Sequence, residues 1–134
     1  MKLQLFGKTM TAIEKSMDLR LRRHAVLSSN VANAETPNYK ARELDFAGEL
    51  SKSLGTDNSQ VQKTHARHMD ITSPDGSHIV FDDSMPVSDD GNNVDLDRAM
   101  GKISANARSF SAATNYLNMR LRVIRFASRG GRGM

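Results

Sequence analysis

The 134-residue chain contains no cysteine and no tryptophan, and aromatic residues make up only 5% of it. The lack of cysteine excludes disulfides and thiolate metal sites. Because aromatic residues are scarce, a compact core would rest on leucine, isoleucine, valine and methionine, and would be thin for this length. The longest apolar runs are only a few residues, so the sequence predicts no membrane-spanning helix. Charges interrupt every apolar stretch near the N-terminus, and we therefore expect no cleavable signal peptide.

Motifs for catalysis and ligand binding are also missing. The sequence has no G-x-S-x-G elbow, no cysteine nucleophile and no glycine-rich phosphate loop. We therefore expect no enzymatic activity, no cofactor and no small-molecule substrate. His65 and His68 have the spacing of a metal motif, but the segment has no helical period and Arg67 would oppose a cation. The acidic segment 89–97 does not match the glycine and glutamate positions of a calcium-binding loop. We expect no metal site.

The net charge of +4 conceals a strong asymmetry along the chain. Residues 1–40 hold seven basic and three acidic residues, whereas residues 41–97 hold four basic and twelve acidic ones. Residues 98–134 hold eight basic residues and no acidic residue. The chain is therefore basic, then acidic, then basic, and its basic isoelectric point alone would mislead.

Apolar residues recur with heptad spacing in the first and last segments, which predicts two long helices. In the N-terminal helix the predicted interface residues are Leu3, Phe6, Met10, Ile13, Met17, Leu27 and Val31. In the C-terminal helix they are Leu96, Met100, Ile103, Phe110, Leu117, Leu121 and Ile124. Arg20 interrupts the first pattern, so either the apolar stripe shifts to Leu21 or the interface is locally polar. Asp95 and Asp97 lie where carboxylates favour the start of the second helix.

The segment between these helices has a different character. Residues 46–55 predict a short helix, and residues 68–84 predict two short strands joined by a turn at 73–76. The predicted fold class is mainly α, with two long terminal helices forming a coiled-coil-like hairpin around a loosely ordered middle segment that contains a small β-hairpin. The expected division is a discontinuous helical core of residues 1–39 and 94–129, a loop-rich middle of residues 40–93 and a flexible tail of residues 130–134.

The arginine-rich end of the chain, Arg120 to Arg132, raises nucleic acid or an anionic lipid surface as alternatives. Nucleic-acid binding favours a dense basic face with aromatic or polar readers, whereas here the arginines alternate with aliphatic residues and the middle of the chain is acidic. Packing of basic against acidic neighbours in an assembly fits this pattern better. We expect no nucleic-acid partner.

The first helix runs into the string SSNVANAETPNYKARELDF, residues 28–46. This string resembles the N-terminal signature of the flagellar rod and hook family, in which a helix ends in an A-N-x-x-T-P-G-Y-like motif. Residues 41–46, the GNNVDLD stretch at 91–97 and the chain length are similar to the proximal rod members of that family. The residues that carry the signature are Asn30, Ala32, Asn33, Thr36, Pro37, Asn38 and Tyr39.

The resemblance implies a structural subunit of the proximal rod of the bacterial flagellar basal body. Such a subunit polymerises helically through its terminal helices into the torque-transmitting drive shaft in the periplasmic space. The flagellar type III apparatus exports it without a cleaved signal peptide. The implied partners are other copies of the chain, other rod proteins, a FliE-like adaptor, the membrane ring and the export gate, and the signature residues are expected at subunit packing.

Two positions depart from the family pattern. Members usually have glycine at the position of Asn38, which the resemblance places third in a turn that requires a positive φ. Asparagine tolerates that conformation best after glycine, so the turn is expected to survive with some strain at Asn38. Members also often have glutamate at the position of Ala99, so any salt bridge from that site is lost here.

Overall fold

A computed structural model describes residues 7–55 and 78–129 of the chain. The two long predicted helices are present as α1, Lys8–Ala32, and α3, Leu96–Ser128. Between them lie strand β1 at Arg42–Leu44, helix α2 at Phe46–Leu54 and strand β2 at Ile79–Phe81. The predicted mainly α fold is confirmed.

The helix ends follow from local side-chain chemistry. Asp45 starts α2 by accepting a hydrogen bond from the Gly48 amide at 3.1 Å, and Gly55 ends it in the left-handed conformation with φ 67°. Asp95 starts α3 in the same way, accepting from the Arg98 amide at 2.8 Å, as the sequence predicts. By contrast, α1 follows Gly7 with no side-chain cap.

Helix α1 is the centre of the fold. The Asn106 side chain of α3 donates to the Arg20 carbonyl at 2.8 Å, and Ala99 lines one cavity with Leu27. Later residues of α3 therefore contact earlier residues of α1, so the two helices run antiparallel, as predicted. On another side of α1, the Arg20 guanidinium lies 4.7 Å from the centre of the Phe46 ring in α2.

The contact between α1 and α3 is locally polar. Leu21 is 56% exposed while Arg20 is half-buried, so the apolar stripe does not shift to Leu21. Asn106 is buried with its Oδ1 unpaired, and the buried Arg20 Nε is also unpaired. An unpaired buried polar atom costs about 1–3 kcal/mol, so this contact is not optimised for the stability of an isolated chain.

The predicted small β-hairpin is confirmed as a two-stranded antiparallel sheet, with a difference in its strands. β2 lies within the second predicted strand, and its partner in the structure is β1, in the register Arg42 with Phe81 and Leu44 with Ile79. The first predicted strand and the turn at 73–76 fall in 56–77, outside the described residues. The ladder attaches the middle segment to the end of α1, because β1 follows α1 directly.

The buried residues are few and equally divided between apolar and polar side chains. Within the described residues the buried apolar set is Leu19, Leu27, Ala41, Leu44 and Ala99. The buried polar set is Asn30, Glu49, Asn92, Asn93 and Asn106. Four of these five apolar residues lie near the end of α1 or the start of α3, so the core is thin, as expected, and sits at one end of the helical hairpin.

Candidate assembly joint

The end of α1 is built by asparagine and threonine side chains. The Asn33 amide nitrogens bond back to the carbonyl of Ser29, from the main chain at 3.1 Å and from the side chain at 2.8 Å. The Thr36 hydroxyl donates to Asn33 Oδ1 at 3.2 Å. The Asn33 side chain therefore gives the Ser29 carbonyl a second donor, and the Thr36 hydroxyl connects the following turn to the end of the helix.

The predicted turn follows at Thr36–Tyr39. The Tyr39 amide donates to the Thr36 carbonyl at 3.2 Å, which closes a four-residue turn with Pro37 in second place. Asn38 has φ 61°, and among the described residues it is the one non-glycine with positive φ. The expected backbone strain at Asn38 is therefore present.

Asn30 connects α1 to β1. Its side chain is buried and donates to the Arg42 carbonyl at 2.7 Å, while its Oδ1 accepts from the Arg42 amide at 3.0 Å. The Tyr39 hydroxyl also donates to the same oxygen, at 3.2 Å. Asn30 thus pairs with a backbone as a neighbouring strand would, which fixes the angle at which the chain leaves the helix.

Asn92 reaches back to the same helix end from a distant part of the sequence. Its side-chain nitrogen lies 2.9–3.0 Å from three carbonyl oxygens, those of Asn33, Ala34 and Thr36. Its own Oδ1 accepts from the Val94 amide at 2.7 Å. One buried amide therefore holds the carbonyl groups of the turn that follows α1.

Asn93 completes the connection. Its Oδ1 accepts from the Ala41 amide at 2.7 Å, and its nitrogen donates to the Asp82 carbonyl at 2.8 Å. Nearby, the Asn38 amide donates to the Asp90 carbonyl at 2.9 Å. We call residues 30–41 together with 90–93 the joint, since here the exit from α1 and the approach to α3 hold each other.

Close backbone approach explains the glycine in the second half of the joint. Gly91 has φ 82°, and a Cβ there would collide with the Asn38 side chain and lie 3.3 Å from its Cα. The Lys40 ammonium group donates to the Gly91 carbonyl at 2.8 Å. Glycine is therefore required at position 91, because the side chain and backbone of Asn38 leave no room for a Cβ there.

A half-buried ion network lies beside the joint. Glu43 of β1 accepts hydrogen bonds from Arg23 of α1 and Lys102 of α3, and Lys102 also pairs with Asp82, which follows β2. One Arg23 contact, from Nε to Glu43 Oε1, measures 2.9 Å. The network therefore connects both long helices and both strands.

The network shifts the pKa values of its members. Burial opposes ionisation of Asp82, but the hydrogen bonds from Lys102 and Ser84 outweigh burial and lower the pKa of Asp82 from 3.8 to about 2. In Glu43, burial is likewise outweighed by the bonds from Lys102 and Arg23, and its pKa is lowered. The pKa of Lys102 is raised, because its two carboxylate partners outweigh its burial.

The joint does not have the shape of a ligand site. Its cavity, lined by Leu27, Asn30, Asn93 and Ala99 among others, has a volume of about 20 Å³, which is room for one water. In the described ranges, no three His, Asp or Glu side chains are grouped to hold a metal ion. The His65–His68 motif lies outside the described residues.

The structure places the predicted signature residues in contacts within the chain. Asn30, Asn33, Thr36 and Tyr39 bond through their side chains inside the joint and Asn38 bonds through its backbone amide, whereas Ala32 and Pro37 are exposed. Their expected role in subunit packing stays a prediction. The sequence did not single out Asn92, Asn93 or the ion network as site residues, because their partners are separated from them by up to 59 residues.

The predicted helix interface residues fall into three groups. The residues that are buried or half-buried in the single chain are Met10, Ile13, Met17, Leu27, Val31, Ile103, Phe110, Leu117, Leu121 and Ile124. Leu96 and Met100 are 51% and 50% exposed, and the side chains that α3 buries in their region are Ala99 and Asn106. Leu3 and Phe6 lie outside the described residues. A role for these residues between subunits stays a prediction.

A helical hairpin with a thin core at one end, held there by asparagine side chains that bond to backbone groups, is typical of a structural protein. No helix in the described part of the chain is long and apolar enough to cross a membrane. The family described as "Flagella basal body rod protein" matches residues 16–40, which cover the second half of α1 and the signature turn.

Curated relatives extend this match along most of the chain. The flagellar basal body rod protein FlgB of Cereibacter sphaeroides is 33% identical over 117 residues, covering 87% of this chain and 90% of that protein. FlgB of Bacillus subtilis (strain 168) is 28% identical over 97% of this chain and 100% of that protein. FlgB of Escherichia coli (strain K12) is 32% identical over 78% and 81%. The chain belongs to the FlgB family of flagellar basal body rod proteins; it is a structural component and not an enzyme.

Proposed function

We propose that this chain polymerises helically through α1 and α3 into the proximal rod and transmits torque as part of the drive shaft. The supporting observation is that α3 leaves a second apolar row uncovered. Tyr116, Met119, Val123 and Phe126 are 39–58% exposed and follow the spacing of one helical face. An apolar row of this length on a soluble chain indicates a surface that another molecule covers.

The same proposal assigns the parts of the chain. Residues 1–39 and 94–129 form the axial helical core, residues 40–93 form the loop-rich middle segment, and residues 130–134 form a tail. Copies of one chain that meet through two different surfaces form a heterologous contact, and such contacts extend into a helix when the rotation does not close. A drive shaft has this geometry.

Membership of the rod family supports a proposal for the chain's environment. The chain would be exported by the flagellar type III apparatus without a cleaved signal and would occupy the rod in the periplasmic space. Its neighbours would be other copies, other rod proteins, a FliE-like adaptor, the membrane ring and the export gate. The thin core agrees with a subunit whose helices are completed by neighbours.

Substitutions in the half-buried row of α3 test the proposal. Leu117→Asp and Leu121→Asp each place a charge in the predicted interface, so we expect them to abolish motility in a strain that lacks the native gene, while export continues. Asn118→Asp adds the same charge at an exposed position of the same helix and should leave motility unchanged. Helix content of each purified variant, measured by circular dichroism, separates loss of assembly from loss of folding. Normal motility in both leucine variants would contradict the proposal.

A further inference from the structure

The segments at the two ends of α3 have opposite charge. Residues 78–97, which lead into α3 at the joint end, contain six aspartates and no lysine or arginine. Residues 108–129 at the other end of α3 contain five arginines and no acidic residue. The 33 residues of α3 separate these ends by about 50 Å, so they do not meet within one chain.

The basic end has a defined pattern. Met119, Arg122, Phe126 and Arg129 follow one another at spacings of three or four residues, so they share one face of α3. All four are exposed. We call these four residues with Val123 the arginine stripe; it alternates charge with apolar surface.

The helix dipole explains only part of this charge. Basic residues stabilise a helix within its last turn, and Arg129 and Arg125 lie there. Arg122 lies a turn earlier, and in the described part of the chain none of these arginines has a carboxylate partner. The charge at Arg122 is therefore left for a contact outside the chain.

The acidic end also keeps free charge. Asp82 is paired with Lys102 and Asp95 caps α3, but Asp83, Asp89 and Asp97 are exposed and form no ion pair among the described residues. Exposed apolar side chains accompany them, as in the stripe. These are Val80, Phe81, Val87, Leu96 and Met100, at 37–55% exposure. We call the exposed side chains of residues 80–100 the aspartate face, which also includes one exposed cation, Arg98.

We propose that the arginine stripe of one copy docks on the aspartate face of a second copy, so that copies associate head to tail with a single polarity. This inference rests on the proposed polymerisation and adds which surfaces meet. Opposite charges flank apolar surface on both sides, so the contact combines attraction with burial, and like ends repel. A second copy is the occupant that the charge pattern favours, because the chain itself carries both complementary surfaces.

Charge reversal with restoration by mixing tests this inference. The stripe-reversed variant carries Arg122→Glu and Arg129→Glu, and the face-reversed variant carries Asp83→Lys and Asp89→Lys. Because the chain has no cysteine, Val123→Cys in one copy and Val87→Cys in the other report the contact as a disulfide-linked dimer. Both reporter positions are exposed, at 58% and 55%.

We expect the two reporters in an otherwise unchanged sequence to cross-link at low salt, with a yield that falls steeply as salt is raised. The stripe-reversed copy should lose at least tenfold in yield against an unchanged partner, and so should the face-reversed copy. Mixing stripe-reversed Val123→Cys with face-reversed Val87→Cys should restore the cross-link. A control variant with Arg108→Glu and Arg120→Glu changes the net charge by the same amount outside the stripe. This variant should still cross-link to an unchanged partner.

Three results would overturn the inference. Charge reversal could leave the cross-linking yield unchanged, mixing the two reversed copies could fail to restore the cross-link, or a Val123→Cys homodimer could be the main product. Binding of the unchanged chain to phosphatidylglycerol vesicles or to duplex DNA, lost on stripe reversal while copies do not cross-link, would also overturn it and assign the stripe to that surface. If Leu121→Asp abolishes motility while stripe reversal leaves the cross-link intact, the proposed function stands and this inference fails.

Discussion

At the scale of single residues, three buried asparagines form most of the side-chain hydrogen bonds that hold the joint together. Each offers donors and an acceptor on one planar group, which lets Asn30, Asn92 and Asn93 bond to backbone groups from two directions. The resemblance to the rod family predicts a role for Asn30 and places the strained position at Asn38. The Asn92 contacts could not be predicted from the sequence, because an amide shows which bonds it can make but not which distant carbonyls it will meet.

The first prediction concerns Asn92. Asn92→Asp keeps the shape of the side chain but replaces the nitrogen donor with an oxygen that faces three carbonyl oxygens. We expect a loss of about 2–4 kcal/mol in the free energy of unfolding, because the carboxylate is buried among acceptors. Urea denaturation of the purified chain measures it. Asn118→Asp, on the exposed face of α3, should change the unfolding free energy by less than about 0.5 kcal/mol.

At the scale of elements, heptad spacing predicted α1 and α3, Asp95 and Asp97 predicted the start of α3, and residues 46–55 were predicted to form a short helix. Strand pairing was less accessible, since three-residue strands carry little pattern and the partner of β2 lies on the far side of residues 56–77. The ion network of Arg23, Glu43, Asp82 and Lys102 depends on that pairing. It could not be predicted before the pairing was known.

The network makes stability depend on pH in a defined window. The pKa values of Asp82 and Glu43 are lowered by folding, so their contribution is present above the ordinary values of 3.8 and 4.5 and is lost as pH falls toward 2. Lys102→Met removes the cation that both carboxylates share. We expect about 1–2 kcal/mol lower stability at pH 7 and a difference from the native chain that shrinks as the pH approaches 2.

Thermal unfolding measured from pH 7 to pH 2 tests this prediction. Lys52→Met is the matched control, because Lys52 is 60% exposed and its contact with Glu49 is 3.4 Å long. The melting temperature of Lys52→Met should change with pH in the same way as that of the native chain. A constant difference between Lys102→Met and the native chain at every pH would show that the lysine acts by packing alone.

At the scale of the whole molecule, the fold is strongest at one end. Leu27, Ala41, Leu44 and Ala99 are buried near the joint, whereas the far half of α3 buries no side chain fully among the described residues. The composition predicted a thin core, but it could not predict where that core would sit. Its position follows from the joint, which brings the end of α1 and the start of α3 together.

Amide hydrogen exchange of the dilute chain should follow this distribution. We expect the highest protection near Leu27 and Ala99 and a decline toward Lys8 and toward Ser128, with the far ends exchanging almost freely, because few buried contacts oppose local opening there. Mass spectrometry of peptic peptides at two protein concentrations measures it, and protection of the ends should rise with concentration. Strong, uniform protection of residues 8–32 and 96–128 at the lower concentration would contradict a subunit completed by its neighbours.

The β1–β2 ladder has a consequence for chain length. The Asp45 amide donates to the His78 carbonyl at 3.1 Å, so the chain leaves the ladder and returns to it at one point. The entropy of closing a loop grows only with the logarithm of its length, so doubling the 46–77 excursion would cost about 0.6 kcal/mol. The ladder therefore makes that segment the place where length can change by insertion or deletion while the joint and the two long helices keep their register.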